Sequence, residues 1–141
     1  MSYKVIKTYF SRRLAAFNLH EAKKTMSLES VSENFDNQYV FENSKTDLDD
    51  GDTLNSKFFP KRTVVIRTAH KTSEQSVVFD YDTVHTRLEN ILRDLHSSFN
   101  YRNDVTIKRI VFNSLEVSVE SGYIVSVMTF TVEDTLAYVI A

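Results

Sequence analysis

The densest group of ligand-type side chains is acidic. Asp47, Asp49, Asp50 and Asp52 surround Gly51 within Ser44 to Ser56, a stretch with few apolar residues. Calcium is the metal such a cluster brings to mind. An EF-hand loop needs acidic side chains at alternate positions, Gly at the sixth and Glu at the twelfth. Counted from Asp47, the sixth position is Asp52 and the twelfth is Phe58, so the pattern fails twice. A solvated, mobile acidic loop is the default reading: the segment has too little apolar surface to order itself, and its carboxylates repel one another.

The histidines are His20, His70, His85 and His96, and none sits in an HExxH motif. His85 and His96 fall nearly on one face of one helix, but at the helical rise they lie about 16 Å apart, too far to share a metal. With two glycines in the chain, a GxSxG elbow or a glycine-rich phosphate loop cannot be built. The absence of cysteine removes thiolate zinc sites, cysteine nucleophiles and disulfides. Glu116 and Glu120 alternate on one strand face, with Glu133 and Asp134 on its partner. Paired carboxylates can do acid–base work, but on an exposed sheet face they are expected to be solvated surface groups. No catalytic residue, cofactor site or metal ligand is assigned, and the expectation is a protein that is not an enzyme.

The chain has 141 residues, 42% of them hydrophobic, enough for one domain over 1–141 with a real core. Its net charge of −2 gives no global basic field for nucleic acid. Lys4, Lys7, Arg12 and Arg13 interrupt any signal-peptide core. No run approaches the roughly 20 apolar residues of a membrane-spanning helix. A soluble intracellular protein is expected.

The elements follow from hydrophobic period. Val105 to Ile140 reads as two long strands. Leu115, Val117 and Val119 alternate with Glu116, Ser118 and Glu120, and Ser121-Gly122 supplies a two-residue turn. That turn pairs Glu120 with Tyr123, so Val119 faces Ile124, Val117 faces Ser126 and Leu115 faces Met128 on one side. Ile110 and Phe112 lie in the opposite phase, which a bulge near Asn113-Ser114 would reconcile. Val84, Leu88, Ile91, Leu92, Leu95 and Phe99 define a helix over Tyr81 to Ser98, capped by Asp80 or Asp82, with Glu89 and Arg93 as an i,i+4 pair. Ser76 to Phe79 reads as a short strand or an extended lead-in to it.

Ile6, Phe10, Leu14 and Phe17, widened by Val5 and Tyr9, make one apolar stripe of a helix from Tyr3 to about Lys24. Arg12-Arg13 and Lys23-Lys24 lie off that stripe, as a solvated face. Thr25 to Asn37 reads as a connection and Gln38 to Glu42 as a short strand. Lys57 to Lys71 reads as a long strand with two semi-apolar faces, whose Pro60 calls for an edge or bulge. The fold class is α+β: a mostly antiparallel sheet of about four strands, two helices packed on one face, and a long C-terminal β-hairpin. The core should join Leu115, Val117, Ile124, Met128 and Phe130 to Leu88, Ile91, Leu92 and Leu95.

This order resembles the tail terminator (tail-completion) proteins of long-tailed bacteriophages. The likeness is of layout and size. It is carried by the Tyr3–Lys24 helix, Tyr39 to Asn43 before the acidic loop, Arg62 to Ala69, Val84 to Leu95, and Val105 to Val132. The resemblance implies a non-enzymatic virion protein at the tail–head junction, assembled in the host cytoplasm. Six copies would form a ring on the last ring of the tail tube protein, stop its polymerisation, and offer a docking surface to the head connector or neck protein. Phage DNA would pass through without specific binding. No membrane and no cofactor is implied. Capping should await the tube end, so the free chain can be monomeric.

On this reading Asp47, Asp49, Asp50 and Asp52 are a lumen or interface loop. Negative charge in a DNA channel repels phosphate, and Lys61 or Arg62 of a neighbour could meet the loop. The alternatives are another phage neck, head–tail joining or tail-tube protein, or a small ligand-binding domain.

Overall fold

In the computed structural model, residues 2–23, 35–48, 57–58, 60–96, 107–134 and 138–139 are described. Their elements, in chain order, are helix α1 (Ser2–Ala15), strands β1 (His20–Glu21), β2 (Gln38–Leu48), β3 (Lys57–Phe58) and β4 (Pro60–Lys71), helix α2 (Val77–His96), and strands β5 (Ile107–Glu120), β6 (Tyr123–Asp134) and β7 (Tyr138–Val139). Five strands form one sheet in the order β1-β2-β4-β6-β5, and β3 and β7 pair separately. All pairs are antiparallel except β1 with β2. The architecture is thus the expected α+β one, with one more strand in the main sheet because β1 adds a short parallel edge.

The hairpin pairs in the register its pattern demands: Glu120 with Tyr123, Val119 with Ile124, Val117 with Ser126, and Leu115 with Met128. Ser121 and Gly122 both take positive φ, 50° and 79°. That is the type I′ geometry whose twist matches the flanking strands. The phase change lies between Phe112 and Ser114, and a second irregularity lies between Ile107 and Arg109.

α1 is shorter than its apolar stripe suggests. Asn18 adopts φ 62°. The amides of Asn18 and Leu19 donate to the carbonyls of Ala15 and Leu14 at 3.0 and 3.1 Å. This is a Schellman stop, which Asn tolerates because its short polar side chain lowers the cost of the left-handed region. The released chain forms β1 beside β2.

α2 begins earlier than expected, and Val77 to Phe79 is its first turn rather than a strand or lead-in. The Asp80 amide donates to the Ser76 carbonyl at 2.8 Å. The Asp80 carboxylate accepts from the hydroxyls of Ser76 and Thr72 at 2.7 and 2.9 Å. Asp80 therefore clamps the lead-in segment instead of capping free backbone amides. Glu89 accepts from His85 at 2.9 Å and Arg93 donates to Asn90 at 3.3 Å, so these replace the expected Glu89–Arg93 pair.

Both helices cover one face of the sheet. Ile6, Phe10 and Leu14 of α1 and Val84, Leu88, Ile91 and Leu95 of α2 bury against Phe41, Val64, Ile66, Ile124, Met128, Phe130 and Val132. Phe10 sits 5.6 Å from Phe41 and 5.5 Å from Phe130, ring centre to ring centre. Leu92, Leu115 and Val117, expected in the core, pack at its margin and are partly buried. On the opposite face Phe35 covers Ala69 and Tyr123, with Val125 beside them.

Candidate functional site

The acidic stretch does not begin as a loop at Ser44. β2 continues to Leu48, so Ser44 to Leu48 is strand, and Asp47 pairs with Lys61 and Thr46 with Arg62. The physical reason is the partner: β4 starts at Pro60 and offers a ladder to those polar residues. A bulge between Asn43 and Lys45 resets the phase. Lys61 and Arg62, expected to meet the acidic residues from a neighbouring subunit, meet this stretch within the same chain. Arg62 is buried, and its guanidinium donates to Thr46 Oγ1 at 3.3 Å. Lys61 reaches Glu133 on the other side of β4 at 3.8 Å. Asp49, Asp50 and Asp52 lie outside the described residues.

A polar cluster that periodicity did not single out lies inside the helix-covered face. β4 and β6 alternate, so the face carrying Val64 and Ile66 also carries Thr68 and His70, with Ser126 opposite Thr68. Thr68 and Ser126 are fully buried and His70 is 2% exposed. A buried polar group must find partners. Thr68 Oγ1 bonds both Ser126 Oγ and His70 Nε2, the latter at 3.2 Å. Arg87 of α2 supplies the rest: its Nη2 lies 2.9 Å from His70 Nδ1 and 2.9 Å from Asn37 Oδ1, and its Nη1 donates to the Phe17 carbonyl at 3.4 Å.

Nη2 can only donate, and Asn37 Oδ1, 3.1 Å from the same Nδ1 of His70, can only accept, so Nδ1 lies between a donor and an acceptor while Nε2 faces the Thr68 hydroxyl. Burial, reinforced by the Arg87 charge, lowers the His70 pKa from the ordinary 6.5 to about 4, while nearby Asp36 pulls weakly the other way. Burial also lowers the Arg87 pKa. A neutral imidazole of this basicity is a weak base at neutral pH, and its hydroxyl partners are out of reach of solvent. What the cluster does is mechanical: one guanidinium ties α2 to the end of α1, to the Asn37 turn and to β4. The turn is held from its other side by Asp36, which accepts from the Lys71 amide at 2.8 Å. The available sequence signal was parity: Arg62 and His70 share the phase of Val64 and Ile66.

The remaining expected groups are dispersed. His20 is exposed on β1, and His85 pairs with Glu89 on α2. Among the described residues no three His, Cys, Asp or Glu are grouped to hold a metal, and no helix is long and apolar enough to cross a membrane. Glu116 and Glu120 are exposed, as expected, while Glu133 is half-buried beside Lys61. Of the basic pairs, Arg12 and Lys23 are exposed. Arg13 instead lies over the Tyr9 ring and 3.8 Å from Asp94 of α2, joining the two helices.

Two surfaces are left with chemistry to offer. One is the sheet face away from the helices, where Val65, Val127, Thr129 and Thr131 are half-buried between exposed Glu42, Arg67 and Glu116. The other is β5, the edge strand of the described sheet, which exposes 40% of Phe112 and 50% of Val119. No protein-family model matches this chain, and no characterised protein matches its sequence.

Proposed function

We propose that this chain is a structural protein of a phage tail, which assembles as a ring on the end of the tail tube, stops its growth and presents a docking surface to the neck. The observation that carries the reading is the one-sided layering. Both helices occupy one face of a long, largely antiparallel sheet, leaving the second semi-apolar face and one long edge for neighbouring subunits. The element order agrees with the terminator layout: helix, strand, acidic stretch, long strand, helix, long hairpin. The direct genetic test is tail length. Phage lacking the protein should build tails of uncontrolled length that do not join heads, and tails of normal length would remove the terminator reading.

The charged-lumen idea rests on Asp47, Asp49, Asp50 and Asp52. Replacing all four with asparagine should leave ring assembly intact and slow DNA passage at the neck, more so at low salt. Fully infectious particles under all salt conditions would remove that role.

A further inference from the structure

We infer that the free chain self-associates through the open edge of β5, which pairs antiparallel with β5 of a second copy about a two-fold axis near Ser114. This goes beyond the ring reading and does not rest on it.

Among the described residues β5 is hydrogen-bonded on one side, to β6. Its side chains from Phe112 to Ser114 and from Val119 to Glu120 are exposed. Counted from the Glu120–Tyr123 pair at the turn, the alternation of an antiparallel ladder turns the amides and carbonyls of Val119 and Val117 outward. The same count, passed through the bulge, turns those of Phe112 and Ile110 outward too.

An unpaired row of this kind is a template for another strand, and what restricts the partner is side-chain pattern. Directly opposed residues in an antiparallel pair share a sheet face. The bulge between Phe112 and Ser114 switches the phase of β5 midway. Its two halves can therefore pair with each other only in registers that carry this phase change across the axis.

One such register sets Arg109 opposite Glu120, Ile110 opposite Val119, Val111 opposite Ser118, and Phe112 opposite Val117. Each contact occurs twice by symmetry. The outward-facing residues then exchange their backbone hydrogen bonds. The exposed apolar side chains Phe112 and Val119 meet apolar partners on the helix side. The basic end of each strand meets the acidic end of the other on the far side. The strand is thus complementary to an inverted copy of itself in backbone, apolar pattern and charge. Two five-stranded sheets would join into one of ten strands. A two-fold contact is closed, so it cannot propagate into a ring or a fibre. Pairing would keep β5 occupied in the free chain.

The test uses the whole chain in solution. Sedimentation equilibrium over rising concentration should give a mass reaching twice that of the chain. Arg109→Glu and Glu120→Arg should each weaken the dimer at least about tenfold by opposing like charges, and the two together should restore it. The chain has no native cysteine, so a Val111→Cys, Ser118→Cys variant reports register cleanly. The two positions lie on the order of 20 Å apart along one strand, too far to bridge within a copy, but face each other across the axis. A disulfide-linked dimer is expected on oxidation.

A folded chain that stays monomeric at every concentration would overturn the inference. So would a dimer indifferent to the single charge reversals, or one that does not cross-link. A chain that dimerises in this register yet never binds a tail tube would leave the edge pairing standing and remove the ring reading.

Discussion

The two faces of β4 and β6 are made by the same residues taken alternately, yet they do different things. On the helix side Val64, Ile66, Met128 and Phe130 are fully buried or nearly so, under α1 and α2. On the other side Val65, Val127, Thr129 and Thr131 are half-buried, and among the described residues dense packing is found at the end where Phe35 covers Ala69 and Tyr123. Side chains on the first face are committed to folding. Those on the second keep apolar surface that folding has not used, which is what an assembling subunit requires. The helix-side face also holds the buried polar cluster of Thr68, His70 and Ser126, which Arg87 ties to Asn37 and the Phe17 carbonyl. The more heavily buried face is therefore also the one sensitive to acid.

The largest contrast should come from truncation. Phe130→Ala is expected to cost about 3–5 kcal/mol, because it removes a ring packed against Phe10 and Phe112 and leaves a cavity. Val127→Ala, on the same strand and the other face, should cost less than about 1.5 kcal/mol. Denaturant midpoints measure both, and equal losses would break the distinction between the faces.

Acid sharpens the comparison next. The unfolded chain protonates His70 near 6.5, whereas the folded chain resists protonation to about 4. As the pH falls between those values the unfolded state takes up the proton first. The stability tied to neutral His70 is complete above 6.5 and is lost as the pH approaches 4, roughly 3 kcal/mol across the interval. His70→Gln should lower stability at pH 7, since it removes the ring that joins Thr68 to Arg87 and Asn37, but should flatten the decline between pH 6.5 and 4. Parallel pH profiles for the two proteins would contradict the assignment.

A smaller effect is expected at the hairpin turn. Gly122 has φ 79°, and a β-carbon there is strained even though the nearest atom outside the turn, the Thr72 carbonyl oxygen, leaves room. Gly122→Ala should cost about 1 kcal/mol. The smallest effect belongs to the outer face. Arg67 and Glu42 lie 3.8 Å apart and are both exposed, so a double-mutant cycle should give less than about 0.5 kcal/mol.

What could be read from the chain beforehand follows the range of the interactions. The hairpin register was legible down to the bulge, because Ser121-Gly122 and the alternation on both sides are local and agree. The stripe from Val84 to Leu95 was legible for the same reason. The length of β2 was not: Ser44 to Leu48 is polar and unpatterned, and becomes strand because β4 pairs with it. The end of α1 turned on one residue, Asn18, whose left-handed backbone outweighed the helix propensity of Ala15 and Ala16. The His70 cluster was hidden because its members come from the turn after α1, the Asn37 turn, β4, α2 and β6. Only His70's parity with Val64 and Ile66 announced its burial, and nothing local named Arg87 as its partner.

The central claim is that this chain caps a tube, and native mass measurement with and without tail tubes tests it most directly. With tubes present, six copies should be found at a tube end, and tube growth from that end should stop. In their absence no ring should form. A chain that never associates with tubes at any concentration, and leaves their length distribution unchanged, would contradict the account.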